Sequence, residues 1–231
     1  MNFISTQIIP AILPASQAEL ETKAKAVIGL VPLIQVDICD GIFVPTKTVC
    51  TALPFLDQVD YELDLMISQP EKTIEQWIEL QPARIIIHLE GVKDAELLFK
   101  KLETVQGIIE IGVSISNDTP HELLETTLQK FGNAIQFVQC MGIGTIGAQQ
   151  QPFDPRALTL ISEVAQKFPE LALSVDGSVN PETITDFADA GADRFVAGSA
   201  VFRDESSTES SLEPLANVAQ KNIAKLESLL Q

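Results

Sequence analysis

Residues 84–89 read Arg-Ile-Ile-Ile-His-Leu, a short run with three consecutive isoleucines at positions 85–87. Successive side chains of a β-strand point to opposite faces of the sheet, so a strand formed here would bury both of its faces. Such strands are typical of parallel sheets, in which one face lies against a barrel interior and the other against a layer of helices. An antiparallel sheet with one face in water would alternate more clearly. The run therefore predicts an α/β protein with a parallel sheet.

Eight runs of this kind alternate with longer segments of helical periodicity to the end of the chain. The strand candidates are residues 8–13, 33–38, 61–67, 84–89, 108–113, 134–141, 171–175 and 194–197. No Pro/Gly/Ser-rich linker separates them, and Ser16 with Glu19 has the capping-box spacing of a helix start. Eight strand-plus-helix units in 231 residues predict one domain, residues 1–231, folded as a single (β/α)8 TIM barrel. A doubly wound sheet is the alternative.

The net charge and the apolar runs indicate which partners to expect, and the cysteines indicate the location of the protein. With 15 Lys and Arg residues against 32 Asp and Glu residues, the formal net charge is −17, so we expect no nucleic-acid partner. No apolar run approaches the ~18 residues of a membrane-spanning helix, so we expect no membrane partner. Cys39, Cys50 and Cys140 lack a paired spacing, which predicts a reducing, cytoplasmic location. The acidic, Ser-rich stretch 204–211 is predicted to be a mobile loop.

Acidic residues lie within two of the apolar runs and directly after a third. Asp37 shares a strand face with Gln35, Asp64 shares one with Met66, and Asp176 follows the seventh run. In the predicted barrel the carboxyl ends of the strands meet at one mouth, where catalytic groups lie. Each aspartate alone could equally be a structural acceptor of backbone N–H groups, but a carboxylate in an apolar strand is costly unless it is paired or solvated. Three converging carboxylates indicate a functional site.

Two Gly-Ser steps follow the seventh and eighth strands, where TIM barrels commonly bind phosphate through backbone N–H groups. A single Gly-Ser pair is usually an ordinary turn, whereas two pairs at these positions favour a phosphate site. The glycine-rich loop 142–149 could close over the same group or be a plain flexible loop. The candidate phosphate-binding residues are Gly147, Ala148, Gly177, Ser178, Gly198 and Ser199.

The cysteine, methionine and histidine residues near these strand ends are less specific indicators of function. Cys39, Met66 and Cys140 are interpreted as walls of the pocket rather than as nucleophiles. His121 is expected on the surface, in the first turn of a helix. His88 could move protons at neutral pH, although a histidine in a strand is more often a hydrogen-bonded structural residue.

Six motifs in a fixed order carry a family resemblance. They are Pro-Ala-Ile-Leu at 10–13, Val-Asp-Ile-Cys-Asp-Gly-Ile-Phe-Val-Pro at 36–45, Leu-Met-Ile at 65–67, His-Leu-Glu at 88–90, Val-Asp-Gly at 175–177, and Gly-Ala-Asp through Val-Ala-Gly-Ser-Ala-Val-Phe at 191–202. On these motifs the chain resembles the ribulose-phosphate 3-epimerase family over residues 10–202. The resemblance implies a phosphosugar barrel that inverts C3 of a ketopentose 5-phosphate through an enediolate. It also implies that Asp37 and Asp176 form the acid/base pair and that a divalent metal polarises the carbonyl.

The metal positions depart from the family's pattern. Where the family has His, Asp, His and Asp, this chain has Gln35, Asp37, Asp64 and Asp176. An all-oxygen donor set favours Mg²⁺ or Mn²⁺ over Zn²⁺, and loss of the metal is the other outcome. Without a metal, the crowded carboxylates are expected to raise each other's pKa, and Gln35 would donate a hydrogen bond to the oxyanion.

The function implied by the resemblance is the interconversion of D-ribulose 5-phosphate and D-xylulose 5-phosphate. The partner is then a small phosphorylated sugar, and a homo-oligomer is a possible assembly. Gln35 and Asp64 keep two alternatives open: a divergent isomerase or lyase acting on another phosphorylated ketose, and a non-catalytic phosphosugar-binding protein that has lost its metal site. Ala11 and Ser178 also differ from the residues that the family has near the substrate.

Overall fold

Eight parallel strands close into a barrel in the order in which they occur along the chain. A computed structural model of the protein describes residues 6–148, 150–204 and 213–231. The strands are β1 (Gln7–Ile12), β2 (Leu33–Cys39), β3 (Asp60–Met66), β4 (Arg84–His88), β5 (Glu110–Ile115), β6 (Phe137–Met141), β7 (Ala172–Asp176) and β8 (Arg194–Ala197). The predicted TIM barrel is confirmed. Of the stretch 204–211 predicted to be a mobile loop, all but Asp204 lies outside the described residues.

Seven of the eight strands are followed by an α-helix. The helices are α1 (Gln17–Val27), α2 (Ile74–Ile78), α3 (Ala95–Leu102), α4 (His121–Phe131), α5 (Arg156–Lys167), α6 (Ile184–Ala190), α7 (Ser199–Phe202) and α8 (Leu215–Ser228). As the capping-box spacing predicts, Ser16 caps α1 and accepts a hydrogen bond from the backbone N–H of Glu19. No helix among the described residues is both long and apolar enough to cross a membrane.

The connection between β2 and β3 differs from the predicted strand-plus-helix unit. Residues 40–59 form turns and bends without an α-helix. Pro45 and Pro54 explain this in part, because each removes a backbone N–H that a helix would need. The segment instead spans the carboxyl end of the barrel, where its Val44 packs against Cys39.

Two strands begin two or three residues later than predicted. Gly107 has φ +79° and turns the chain, so that Ile108 is 79% exposed and β5 starts only at Glu110. A 3-10 turn at Gly132–Ala134 similarly precedes β6, which is shorter than the predicted run.

Side chains of each strand alternate between the helical layer and the barrel interior. On β6, Val138 and Cys140 belong to the large apolar cluster that the helices cover, whereas Phe137 packs with Ile86 and Ala172 inside the barrel. Because Ile86 lies midway along β4, this inner cluster forms an apolar layer that separates the two ends of the barrel interior.

The amino-terminal end of the interior is closed by ion pairs. Arg84 contacts Glu62 at 3.2 Å and Glu110 at 2.7 Å, and Arg194 contacts Glu110 at 2.8 Å. Burial raises the pKa of Glu62 to about 7, although the charge of Arg84 acts in the opposite direction. The charges at this end are therefore paired with one another, which leaves the carboxyl end to be considered separately.

Gly112 provides a test of packing inside the barrel. A Cβ at this position would lie 2.3 Å from Cζ of the buried Phe137 ring. Gly112→Ala is therefore expected to lower the free energy of unfolding by about 1–3 kcal/mol, measured by urea denaturation. Gly132→Ala is the matched control, because nothing lies within 4 Å of its added Cβ. Equal losses for the two variants would contradict the packing.

Candidate active site

Three aspartates meet at the carboxyl ends of the strands. Asp37 on β2, Asp64 on β3 and Asp176 on β7 have carboxylate oxygens that lie within 4.8 Å of one another. Asp37 and Asp64 are register partners on adjacent strands, whereas Asp176 comes from a strand that pairs with neither. Asp64 is fully buried and Asp37 is 7% exposed. The structure thus brings together the three acidic residues singled out in the sequence.

The side-chain amide of Gln35 joins two of these carboxylates. Its Nε2 group donates hydrogen bonds to Oδ1 of Asp37 and to Oδ2 of Asp176, both at 2.9 Å. These two bonds use both N–H groups of the amide. The amide oxygen, Oε1, is buried and has no hydrogen-bond partner among the described residues. Gln35 therefore reduces the repulsion between the two aspartates and keeps one unused acceptor in the site.

Asp64 has a different partner, His88. Its Oδ1 lies 2.9 Å from Nε2 of His88, and both side chains are fully buried. The other carboxylate oxygen, Oδ2, has no hydrogen-bond partner within the described part of the chain. The His88 ring also lies beside Phe43, with 5.7 Å between the ring centroids. The histidine is therefore held by a site residue on one side and by an aromatic ring on another.

Burial and mutual repulsion shift the ionisation of this cluster. Burial, together with the charges of Asp176 and Asp64, raises the pKa of Asp37 well above its ordinary value. Burial and the charge of Asp64 raise the pKa of Asp176 to about 7. Burial lowers the pKa of His88, but the charge and the hydrogen bond of Asp64 outweigh it, and the pKa is raised overall. At neutral pH the cluster therefore retains protons that isolated aspartates would have released.

A cavity of about 290 Å³ opens at this end of the barrel. Asp37 and Asp176 line it, together with Ala11 and Met66. Its volume suits a small ligand. All six candidate phosphate-binding residues line the same cavity: Gly147, Ala148, Gly177, Ser178, Gly198 and Ser199.

The loop between β6 and α5 is fixed on two sides of the cavity. Ser178 has φ +52°, an uncommon conformation for a residue other than glycine, and its Oγ donates a hydrogen bond to the carbonyl of Gln151 at 2.7 Å. On the other side, Oγ1 of Thr46 donates to the carbonyl of Gly147 at 2.5 Å. A Cβ on Gly147 would lie 2.7 Å from Val44, so this close approach requires glycine. The hydroxyl of Ser178 is therefore already engaged within the protein.

The cysteines and His121 lie away from the cavity surface. Cys140 points into the helical layer, because the alternation of β6 turns Met141 and not Cys140 toward the cavity. Cys39 is buried against Met66 behind the cavity wall. His121 lies on α4, where its Nδ1 is 3.1 Å from Glu163. Of the three residues interpreted as pocket walls, Met66 alone lines the cavity.

The cavity also has a basic side that sequence reasoning missed. Arg203, which follows α7, and Lys225, on α8, are both exposed and both contribute to its lining. Neither lies at the end of a strand, and nothing in the sequence distinguishes Lys225 from an ordinary solvated lysine. Met141 also lines the cavity. Its position could have been predicted from the sequence, because the period of two places it on the same strand face as Gln139.

The raised pKa of Asp176 predicts a gain in stability when its charge is removed. The native pKa of about 7 exceeds the ordinary value of 3.8, so the folded protein holds this proton more tightly than the unfolded chain does. The stability gained from the proton is complete below pH 3.8 and is lost as the pH rises through about 7. With chelator present, the free energy of unfolding of Asp176→Asn should exceed that of the wild type at pH 8 by about 2 kcal/mol. This is roughly half of the free energy that corresponds to the whole pKa shift, because the carboxyl is partly exposed. The advantage should shrink toward pH 4.

Urea denaturation across this pH range measures the difference. Asp60→Asn, at the exposed start of β3, is the matched control and should have little effect at any pH. An Asp176→Asn variant no more stable than the wild type at pH 8 would contradict the crowding of charges described here.

Comparisons with known proteins identify the family of this chain. The model of the Ribulose-phosphate 3 epimerase family matches residues 7–202. A ribulose-phosphate 3-epimerase of Eremothecium gossypii is 28% identical over 211 residues, which are 84% of this chain and 85% of the relative. A chloroplastic ribulose-5-phosphate-3-epimerase of Arabidopsis thaliana is 30% identical over 213 residues, which are 87% of this chain and 74% of the relative.

A solved structure resembles the whole fold. The 3-keto-L-gulonate-6-phosphate decarboxylase of Vibrio cholerae has a TM-score of 0.63 at 12% identity, and the match covers 98% of this chain and 97% of that protein. This likeness concerns the fold alone. The relatives at higher identity are named as epimerases, and epimerases are isomerases, so the predicted enzyme class is confirmed along with the family. The chain belongs to the ribulose-phosphate 3-epimerase family.

Proposed function

We propose that this protein is a ribulose-phosphate 3-epimerase that interconverts D-ribulose 5-phosphate and D-xylulose 5-phosphate. One observation carries the proposal: Asp37 and Asp176 come from separate strands, line one cavity and are joined by the single amide of Gln35. Inversion at a carbon atom needs a base on one face and an acid on the other. Two carboxyl groups in one cavity can supply both, and the chain's family supports this reaction.

The two aspartates would exchange roles during a turnover. One of them, as the carboxylate, removes the proton from C3 and leaves an enediolate, in which the negative charge is shared with the neighbouring carbonyl oxygen. The other, as the carboxylic acid, returns a proton to the opposite face of C3. In the absence of a metal, burial and the charges of the neighbouring aspartates raise the pKa of both carboxyl groups, which favours one protonated member of the pair. After each turnover the protonation states of the two aspartates are interchanged.

A divalent metal would fit among the same residues. Asp37, Asp64 and Asp176 would hold it, and the amide oxygen of Gln35 would join them by turning toward the ion in place of Nε2. Two buried acceptors without a hydrogen-bond partner among the described residues, Oε1 of Gln35 and Oδ2 of Asp64, support this fit. The donors are all oxygen, which favours Mg²⁺ or Mn²⁺ over Zn²⁺. Such an ion, when bound, polarises the substrate carbonyl and stabilises the enediolate.

The phosphate would be held by the loops that follow β7 and β8. Because the hydroxyl of Ser178 is engaged by Gln151, the donors proposed here are the backbone N–H groups of these loops. Local donors are needed, since the net charge of −17 repels an anion at long range. Arg203 and Lys225 bring positive charge to the same cavity. The proposed ligand is thus a small phosphorylated sugar.

A second candidate is an isomerase or lyase that acts on another phosphorylated ketose. It is favoured by Gln35 and Asp64, which stand where the family resemblance leads one to expect histidines. The phosphate end of the cavity would serve both functions equally well. The two candidates therefore differ in the chemistry expected near the aspartates and in the sugar that is turned over.

A coupled assay with ribulose 5-phosphate tests the proposed function. We expect turnover that requires Mg²⁺ or Mn²⁺, is weaker with Zn²⁺ and is lost with chelator. Asp37→Asn and Asp176→Asn should each reduce kcat by at least about 100-fold, because each removes an acid/base group. Asp60→Asn, at the opposite end of β3 from the site, should retain wild-type turnover.

The same assay distinguishes the alternatives. Turnover of another phosphorylated ketose, with none of ribulose 5-phosphate, would support the second candidate. A thermal shift with ribulose 5-phosphate and no turnover of any ketose phosphate would indicate a non-catalytic phosphosugar-binding protein. Full activity in Asp176→Asn would refute the two-aspartate mechanism.

A further inference from the structure

The contact between Asp64 and His88 is the part of the site that the proposed proton transfer leaves unused. The His88 imidazole is fully buried, and its Nε2 lies 2.9 Å from Oδ1 of Asp64. The three-membered cluster of ligand atoms consists of the aspartates and does not include His88. The imidazole therefore lies one shell outside the cluster and contacts it through Asp64.

Burial and one aromatic neighbour restrict how the imidazole can move. Phe43 lies beside it, with 5.7 Å between the ring centroids and 54° between the ring planes. The adjacent strand β5 places Ser114 in register with His88, and Ser114 is itself fully buried. The ring is therefore held by burial and by the single hydrogen bond of Nε2, because Nδ1 has no hydrogen-bond partner among the described residues.

The engagement of one Asp64 oxygen leaves the other one free. Oδ2 is buried and has no hydrogen-bond partner in the described ranges. An unpartnered carboxylate oxygen is costly to bury, so its retention among two further carboxylates needs a counterpart. A cation shared by the three aspartates would supply it.

We propose that His88 is a positioning residue that commits one oxygen of Asp64 to the imidazole and presents the other to a divalent cation. The inference rests on the metal included in the proposed function. Histidine ligands of metals are commonly oriented by a carboxylate in the next shell. In this protein the roles are exchanged, because the Asp64 carboxylate belongs to the cluster and the His88 imidazole contacts that carboxylate from outside the cluster.

Binding of Mn²⁺ to the purified full chain, followed by the electron paramagnetic resonance signal of free Mn²⁺, tests the inference without an activity readout. His88→Leu and His88→Asn should each weaken Mn²⁺ binding by about 10- to 100-fold, because neither side chain can donate from the position of Nε2. His88→Gln places an amide N–H near that position and should restore the affinity to within about fivefold of the wild type. Circular dichroism of each variant establishes that it is folded.

His121→Gln is the matched control, since it replaces the other histidine of the chain at a position outside the cavity lining. It should bind Mn²⁺ as the wild type does. Folded His88→Leu and His88→Asn variants with wild-type affinity would overturn the inference and leave the proposed metal in place. A His88→Gln variant as weak as His88→Asn would also overturn it. A wild-type protein that binds no divalent cation would overturn both the inference and the proposed metal, without bearing on the two aspartates.

Discussion

The arrangement of this site is governed by the repulsion among three carboxylates held inside a protein. Each of them would be costly to bury alone, and together they oppose one another's ionisation. The barrel accommodates them with two neutral or basic partners: the Gln35 amide, which bridges Asp37 and Asp176, and the His88 imidazole, which contacts Asp64. Burial, and after it the charge of Asp64, raises the pKa of Asp176 to about 7, because the hydrogen bond of Gln35 offsets only part of these two effects.

The rest of the barrel can be understood from this constraint. The aspartates meet because the carboxyl ends of parallel strands in a closed barrel share one mouth. The apolar layer around Phe137 separates them from the ion pairs at the amino-terminal end, where Arg84 and Arg194 could otherwise have neutralised them. Among the described residues, the basic side chains that line the cavity are Arg203 and Lys225, and both are exposed. Basic groups thus lie at both ends of the barrel, paired with glutamates at the amino-terminal end and exposed at the wall of the cavity.

Local patterns in the sequence were sufficient for the fold and for the inward-facing acids. Buried strands such as β4 are recognisable from consecutive isoleucines, and the period of two assigns Gln35, Asp37 and Asp64 to the interior. The same rule, applied to β6, would have placed Cys140 in the helical layer. The strand boundaries at Ile108 and the helix-free segment 40–59 were less predictable, because they depend on turns and on packing at the mouth of the barrel. Contacts between distant segments, such as those of Ser178 with Gln151 and of Asp64 with His88, depend on tertiary packing and leave no local signal in one sequence.

The most direct measurement is proton exchange at C3 of the substrate, followed by nuclear magnetic resonance in D₂O. Ribulose 5-phosphate incubated with the enzyme in a Mg²⁺ buffer should give xylulose 5-phosphate that carries deuterium at C3, since the acid that protonates the enediolate exchanges with solvent. Deuterium confined to C1, or xylulose 5-phosphate that retains the original C3 proton throughout, would contradict proton transfer by two carboxyl groups at the mouth of this barrel.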